Sequence, residues 1–298
     1  MNILQRGGSS SRRSFVQTAT AGIILNASAA ATAAPQAASA AESLSQRLSS
    51  RDPSKLGNSI FNRPPSAQIY PSWMRGATWN VESKFAGYLF PSTKIPKAEL
   101  TQKVTVPGFQ KCSIAAISDI GKEGIVSYGM RILDNGVEDR AFTLQNEVNA
   151  FLGYPAVSEI IYDVKSNPNR ISIDFVDYKT INAERIELFC NGRESEQYPG
   201  SDAKGNNKDV FVCSEYIRQV TFGGGSEVGI PRQVSSNYAH FWTWSKTNTE
   251  GDDNNTPTTI TGNLLTAAYL DAQDPLFFDE PTKPVVVYSH VLKATRRV

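Results

Sequence analysis

From residue 73 to the C-terminus, apolar and polar residues alternate in short runs rich in β-branched and aromatic side chains, the pattern of half-buried strands. Twelve such runs are read as strands: 78–87, 102–106, 113–118, 124–133, 138–144, 157–164, 170–176, 184–191, 209–222, 232–245, 258–270 and 285–294. Turn residues punctuate them. Asp134-Asn135-Gly136 between two alternating segments is a hairpin signal, and Asn167-Pro168-Asn169, Asn191-Gly192 and Gly223-Gly224-Gly225 mark further turns. A loop is expected at 197–208, bordered by Glu194-Ser195-Glu196. Helical spacing is confined to 42–51, where Leu44 and Leu48 stand four apart, and to one turn over 147–152 that ends at Gly153. Asp52-Pro53 and Arg63-Pro64-Pro65 mark an extended lead-in running to Ser72. So many short strands with regular turns imply an all-β antiparallel sheet, closed on itself or folded into a sandwich. The length of the later strands favours a single barrel over residues 73–298.

The first forty residues break this pattern. They hold Arg6, Arg12 and Arg13 and no acidic residue before Glu42. Ser11-Arg12-Arg13-Ser14-Phe15-Val16 fits a twin-arginine export signal, 19–25 is a short apolar stretch, and Ala38-Ser39-Ala40 offers small residues for cleavage. Residues 1–40 are therefore expected to be a cleavable signal, and 41–72 a short helix and lead-in. Such a route delivers folded proteins to a bacterial periplasm or a thylakoid lumen. No apolar run reaches the roughly 20 residues of a membrane-spanning helix.

Charge narrows the partners. The chain has 30 basic and 29 acidic residues, and without Arg6, Arg12 and Arg13 the balance falls to about −2. No basic excess points to nucleic acid. Of the three cysteines, Cys190 and Cys213 fall in successive expected strands, where they either face each other as a disulfide or stay buried thiols. Neither cysteines nor histidines cluster at zinc spacing, so no metal and no cofactor is expected.

Candidate chemistry concentrates on two strands. Tyr238, His240, Trp242 and Trp244 share one face, a stripe that either lines a ligand cavity or fills the core. Glu215 and Arg218 lie on opposite faces of the 209–222 strand, so one charge points inward whichever way the strand turns. An inward charge needs a partner, and Glu215 or Glu187 with Arg218 or Arg131 is the expected pairing. His240 and His290, the only histidines, stand beside no nucleophile elbow, which argues against a hydrolase.

Several stretches resemble a domain-of-unknown-function family of cyanobacteria and chloroplasts. They include Asn62-Arg63-Pro64-Pro65-Ser66, Tyr70-Pro71-Ser72-Trp73, Gly76-Ala77-Thr78-Trp79, Ala86-Gly87-Tyr88-Leu89-Phe90-Pro91, Pro107-Gly108-Phe109-Gln110-Lys111-Cys112, Glu215-Tyr216-Ile217-Arg218-Gln219 and Gln273-Asp274-Pro275-Leu276-Phe277-Phe278. The resemblance implies a lumenal lipocalin-like barrel without an assigned activity. Gly76-Ala77-Thr78-Trp79 is also similar to the Gly-x-Trp that opens lipocalin-like barrels, with one residue inserted. There the tryptophan plugs the closed end under a basic side chain, a place open here to Arg218, Lys293 or Arg296.

Two functions follow as expectations. The first is a non-enzymatic lipocalin-like barrel that binds a small apolar or amphipathic ligand, such as a pigment, quinone or lipid, through Trp79, Arg218, Tyr238, His240, Trp242 and Trp244. The second is an accessory or assembly protein of a photosynthetic membrane complex, with the lead-in lying along its partner. The expected location is the thylakoid lumen, with a cyanobacterial lumen or periplasm as the alternative. A ligand carrier needs a cavity of roughly 300–1,000 Å³.

Overall fold

The computed structural model describes residues 42–58, 66–103, 105–106, 124–180, 183–201, 205, 207–223, 232–247 and 257–297. The twin-arginine segment with Arg12, Arg13, Ala38 and Ala40, the expected strand 113–118 and Cys112 lie outside them.

The alternating runs form one antiparallel sheet of nine strands: β1 Ala77–Leu89, β2 Val126–Ile132, β3 Val157–Ile161, β4 Arg170–Phe175, β5 Arg185–Ser201, β6 Asn207–Gly223, β7 Arg232–Thr247, β8 Thr259–Tyr269 and β9 Val286–Arg296. Their order across the sheet is β2-β1-β9-β8-β7-β6-β5-β4-β3. A plain meander runs from β3 to β9, and the β1–β2 pair is laid against β9. The sheet curls into a half-barrel, in keeping with the all-β, barrel-like class. Its two edges, β2 and β3, are joined in sequence by helix α3 (Arg140–Leu152), which packs on both of them. A helix thus spans the gap that strand pairing leaves open. Shorter helical segments are α1 (Leu44–Ser49) and α2 (Lys97–Leu100).

Helix α3 corrects the strand expected at 138–144. The Asp134-Asn135-Gly136 turn forms, but pairing beyond it stops at the Ile132–Glu138 bridge. Asp139 then caps a helix by accepting a hydrogen bond from the backbone N–H of Phe142. Leu144, Val148 and Phe151 stand four and three apart, so a helix puts them on one face. Phe142-Thr143-Leu144 alternates as a strand would, and only the last turn carries an unambiguous helical signature. The described residues of the expected strand 102–106 form no strand either. Gln102 and Lys103 continue the turns that follow α2, and Leu100 and Val106 are buried in one apolar cluster.

The expected loop at 197–208 is mostly ladder, since β5 and β6 stay paired out to Ser201 and Asn207. Glu194 and Glu196 accordingly sit on strand β5 and dock the lead-in. Glu196 accepts the backbone N–H groups of Leu44 at 2.6 Å and Ser45 at 3.1 Å, the otherwise unpaired donors of α1. Glu194 pairs with Arg47. Leu44 and Leu56 are buried on the convex face of the sheet, each contributing about 1.5–3 kcal/mol by leaving water. The Leu56 carbonyl also accepts from the Tyr269 hydroxyl at 2.6 Å. The described parts of the lead-in are therefore spent on the protein's own sheet.

Both faces of the central strands are covered as a result. Trp79, Phe211, Trp244, Leu264 and Leu292 pack on the concave side, and Tyr216, Phe241 and Tyr269 on the convex side. Register also separates the two described cysteines. Cys190 lies opposite Ile217 and Cys213 opposite Ser195, so they do not face each other and both are free thiols.

Candidate functional site

Four of the six expected ligand residues converge. Tyr238, His240, Trp242 and Trp244 of β7 line a chamber between α3 and the concave face, opposite Arg140, Leu144 and Val148 of α3. Trp79 and Arg218 are elsewhere. Trp79 is wholly buried at one end of the half-barrel, where the turn Ser72–Met74 covers it and the Met74 carbonyl accepts its indole N–H at 3.1 Å. Gly76 makes that approach possible. Its φ is +59°, and a Cβ there would stand 2.5 Å from the Asp134 carboxylate. The basic residue beside Trp79 is Arg296, its cross-strand partner, which donates to the Gly76 carbonyl. Arg218 is exposed and its Nε donates to the Ser235 hydroxyl, while Lys293 is exposed on β9.

The chamber encloses only about 50 Å³, room for about three waters. Side chains take up the rest. The Tyr238 and His240 rings lie 5.0 Å apart and those of His240 and Trp242 5.1 Å, and Tyr238 donates to Gln219 at 3.0 Å. The stripe is chiefly core. A pigment or quinone does not fit here.

Charge lines this interior. Glu215 is the inward carboxylate, and its partners are Arg140 of α3 at 2.5 Å and Arg193 of β5 at 2.6 Å. The expected partners are engaged elsewhere: Arg131 pairs with Asp139, and Arg218 faces solvent. Glu187, another buried carboxylate, is held by Arg170, Arg185 and Ser172. Burial works against the Glu215 charge, yet the two guanidinium groups prevail and bring its pKa down to about 2. Arg193 also donates to the carbonyls of Ser66 and Pro168, tying the lead-in and the β3–β4 turn to the same carboxylate. Tyr70 donates to Glu138 at 3.2 Å, and burial raises the pKa of both. Arg140 Nε and Trp244 Nε1 find no acceptor among the described residues.

His240 makes this interior sensitive to acid. Its Nδ1 lies 2.9 Å from the Thr266 hydroxyl, and burial pushes its pKa down to about 3. Between its ordinary value of about 6.5 and that value, the unfolded chain binds a proton that the folded chain refuses. Stability should therefore fall as pH drops below about 6.5, by about 2 kcal/mol on reaching pH 5. Comparing the pH dependence of urea midpoints for wild type and His240→Gln isolates this contribution. The variant should lose that part of the slope, and superimposable profiles would refute the assignment.

The convex face holds a larger space. Where α1 and the turn Pro53–Lys55 cross the sheet, a groove of about 370 Å³ opens between Leu48, Leu56, Leu89, Leu265 and Val287. An adjoining cleft of about 380 Å³ shares Asp52, Pro53 and Leu89 with it and continues toward Lys283. A β-bulge shapes the floor. The β1–β9 register shifts between Phe85 and Gly87, and Gly87, at φ +145°, leaves open space where a Cβ would stand. The bulge also places Leu89 beside Val287 on this face. Sequence reasoning missed the groove because it assigned one buried face per strand. The adjacent apolar pairs Leu264-Leu265 and Val286-Val287 were the available sign of burial on both sides. Arg140 and Arg193 were missed as well, the first because α3 was read as a strand.

Comparison with curated proteins and with solved structures finds no match. A family model does match, over residues 64–298, which takes in every strand and α3 but not α1 or the turn Pro53–Lys55. The chain belongs to the family described as Domain of unknown function (DUF6816).

Proposed function

We propose that this protein is a non-enzymatic binding module that holds one small apolar or amphipathic ligand, and that the site is the convex groove under α1. The observation that carries this reading is the difference in volume. The groove holds about 370 Å³ and the barrel interior about 50 Å³, against the roughly 300–1,000 Å³ typical of small-molecule sites. Aliphatic walls supply the driving force, about 25 cal/mol for each Å² of apolar surface removed from water. The interior stripe then serves stability. We further propose that the twin-arginine segment with Arg12 and Arg13 exports the folded chain to a thylakoid lumen, or to a cyanobacterial lumen or periplasm. The resemblance to a family of photosynthetic organisms supports that compartment.

Native mass spectrometry of the purified full chain, followed by solvent extraction, tests the reading. One small molecule per chain is expected. Leu265→Arg, which puts a charge on the groove floor, should lose it while unfolding at a similar urea concentration. A wild-type mass of protein alone would contradict the reading. Recovery of a co-purifying photosynthetic membrane protein with an empty groove would favour the accessory role instead, for which the filled interior also speaks.

A further inference from the structure

Resting on the groove as the ligand site, we infer that its ligand is an anionic amphiphile, a single apolar chain ending in a carboxylate or phosphate. The lining is asymmetric. Leu265, Val287, Leu89 and the bare backbone of Gly87 form an apolar floor, whereas Arg47 and Arg51 stand together at the α1 end. Arg47 is fixed there: its Nη1 donates to the Tyr216 hydroxyl at 3.2 Å and its Nη2 pairs with Glu194. Arg51 makes no ion pair among the described residues, and its φ of +54° sets it at the break between α1 and the turn that follows. Asp52, the one acid in the lining, has a carboxylate oxygen occupied by the Ser54 N–H at 2.9 Å. Two guanidinium groups against one carboxylate give this end of the lining a cationic excess. An anionic head at this end meets the guanidinium of Arg51, with that of Arg47 beside it.

Isothermal titration of the full chain with dodecanoate and with dodecan-1-ol tests this, using Arg51→Ala and Arg51→Lys. Arg51 is chosen because Arg47 also anchors α1. Dodecanoate should bind about tenfold or more tightly than the alcohol, the gain of one charge-assisted hydrogen bond. Arg51→Ala should erase most of that preference without weakening the alcohol, and Arg51→Lys should restore part of it. Equal binding of both probes, or a preference untouched by Arg51→Ala, would overturn the anionic head and leave the groove standing. If neither probe binds, the groove reading falls with it. Dodecyl phosphate run alongside shows which head group is preferred.

Discussion

Trp79→Ala is expected to lower the unfolding free energy by about 3–5 kcal/mol, as truncation of a large core side chain does. The indole is wholly buried among Trp73, Met74, Trp244 and Leu292, and its N–H is spent on the Met74 carbonyl. Removing it leaves a cavity at the end of the half-barrel and orphans the turn that covers that end. A loss of this size is a large share of the 5–15 kcal/mol that holds a typical domain folded, so the variant should melt far earlier or accumulate poorly. Urea unfolding of wild type and variant measures it. A change below about 0.5 kcal/mol, the scale of surface substitutions, would mean that Trp79 does not plug this fold.

Glu215→Ala is expected to cost a similar amount, about 3–5 kcal/mol, for a different reason. The substitution leaves Arg140 and Arg193 buried with no counter-charge, and breaking a buried pair from one side is strongly destabilising. The damage should also spread. Arg140 starts the helix that spans the two sheet edges, and Arg193 holds Ser66 and Pro168. Hydrogen exchange should therefore accelerate in α3 and β3 more than in β8. Glu215→Gln keeps the shape but loses the charge and should also destabilise. Uniform exchange across the sheet in Glu215→Ala would contradict the coupling. So would wild-type stability.

The class of fold was legible because strand alternation is local, and nine of the eleven expected strands that fall among the described residues appear in the structure. What was not legible depended on packing at long range. Phe142, Thr143 and Leu144 alternate as a strand would, and only the distant edges β2 and β3 make a helix the better way to bury Leu144 and Val148. The aromatic stripe of β7 was readable as one face, but whether it enclosed a cavity depended on α3. That either Glu215 or Arg218 points inward was readable from strand parity, but which of them does was not, nor were the partners of Glu215, since Arg193 and Arg140 lie 22 and 75 residues away in sequence. The groove was hidden for the same reason, since Leu48 and Leu56 meet not only Leu89 of β1 but also Leu265 and Val287, more than two hundred residues downstream.

The location of a bound chain tests the account most directly. In the full protein with methyl-labelled leucine, isoleucine and valine, titration with dodecanoate should shift the resonances of Leu48, Leu56, Leu89, Leu265 and Val287. Those of Ile173, Ile186, Leu188 and Ile217, which line the interior chamber, should stay in place. Shifts confined to the interior set would contradict the account and return the ligand to the barrel, and no shift in either set would leave the protein without the site proposed for it.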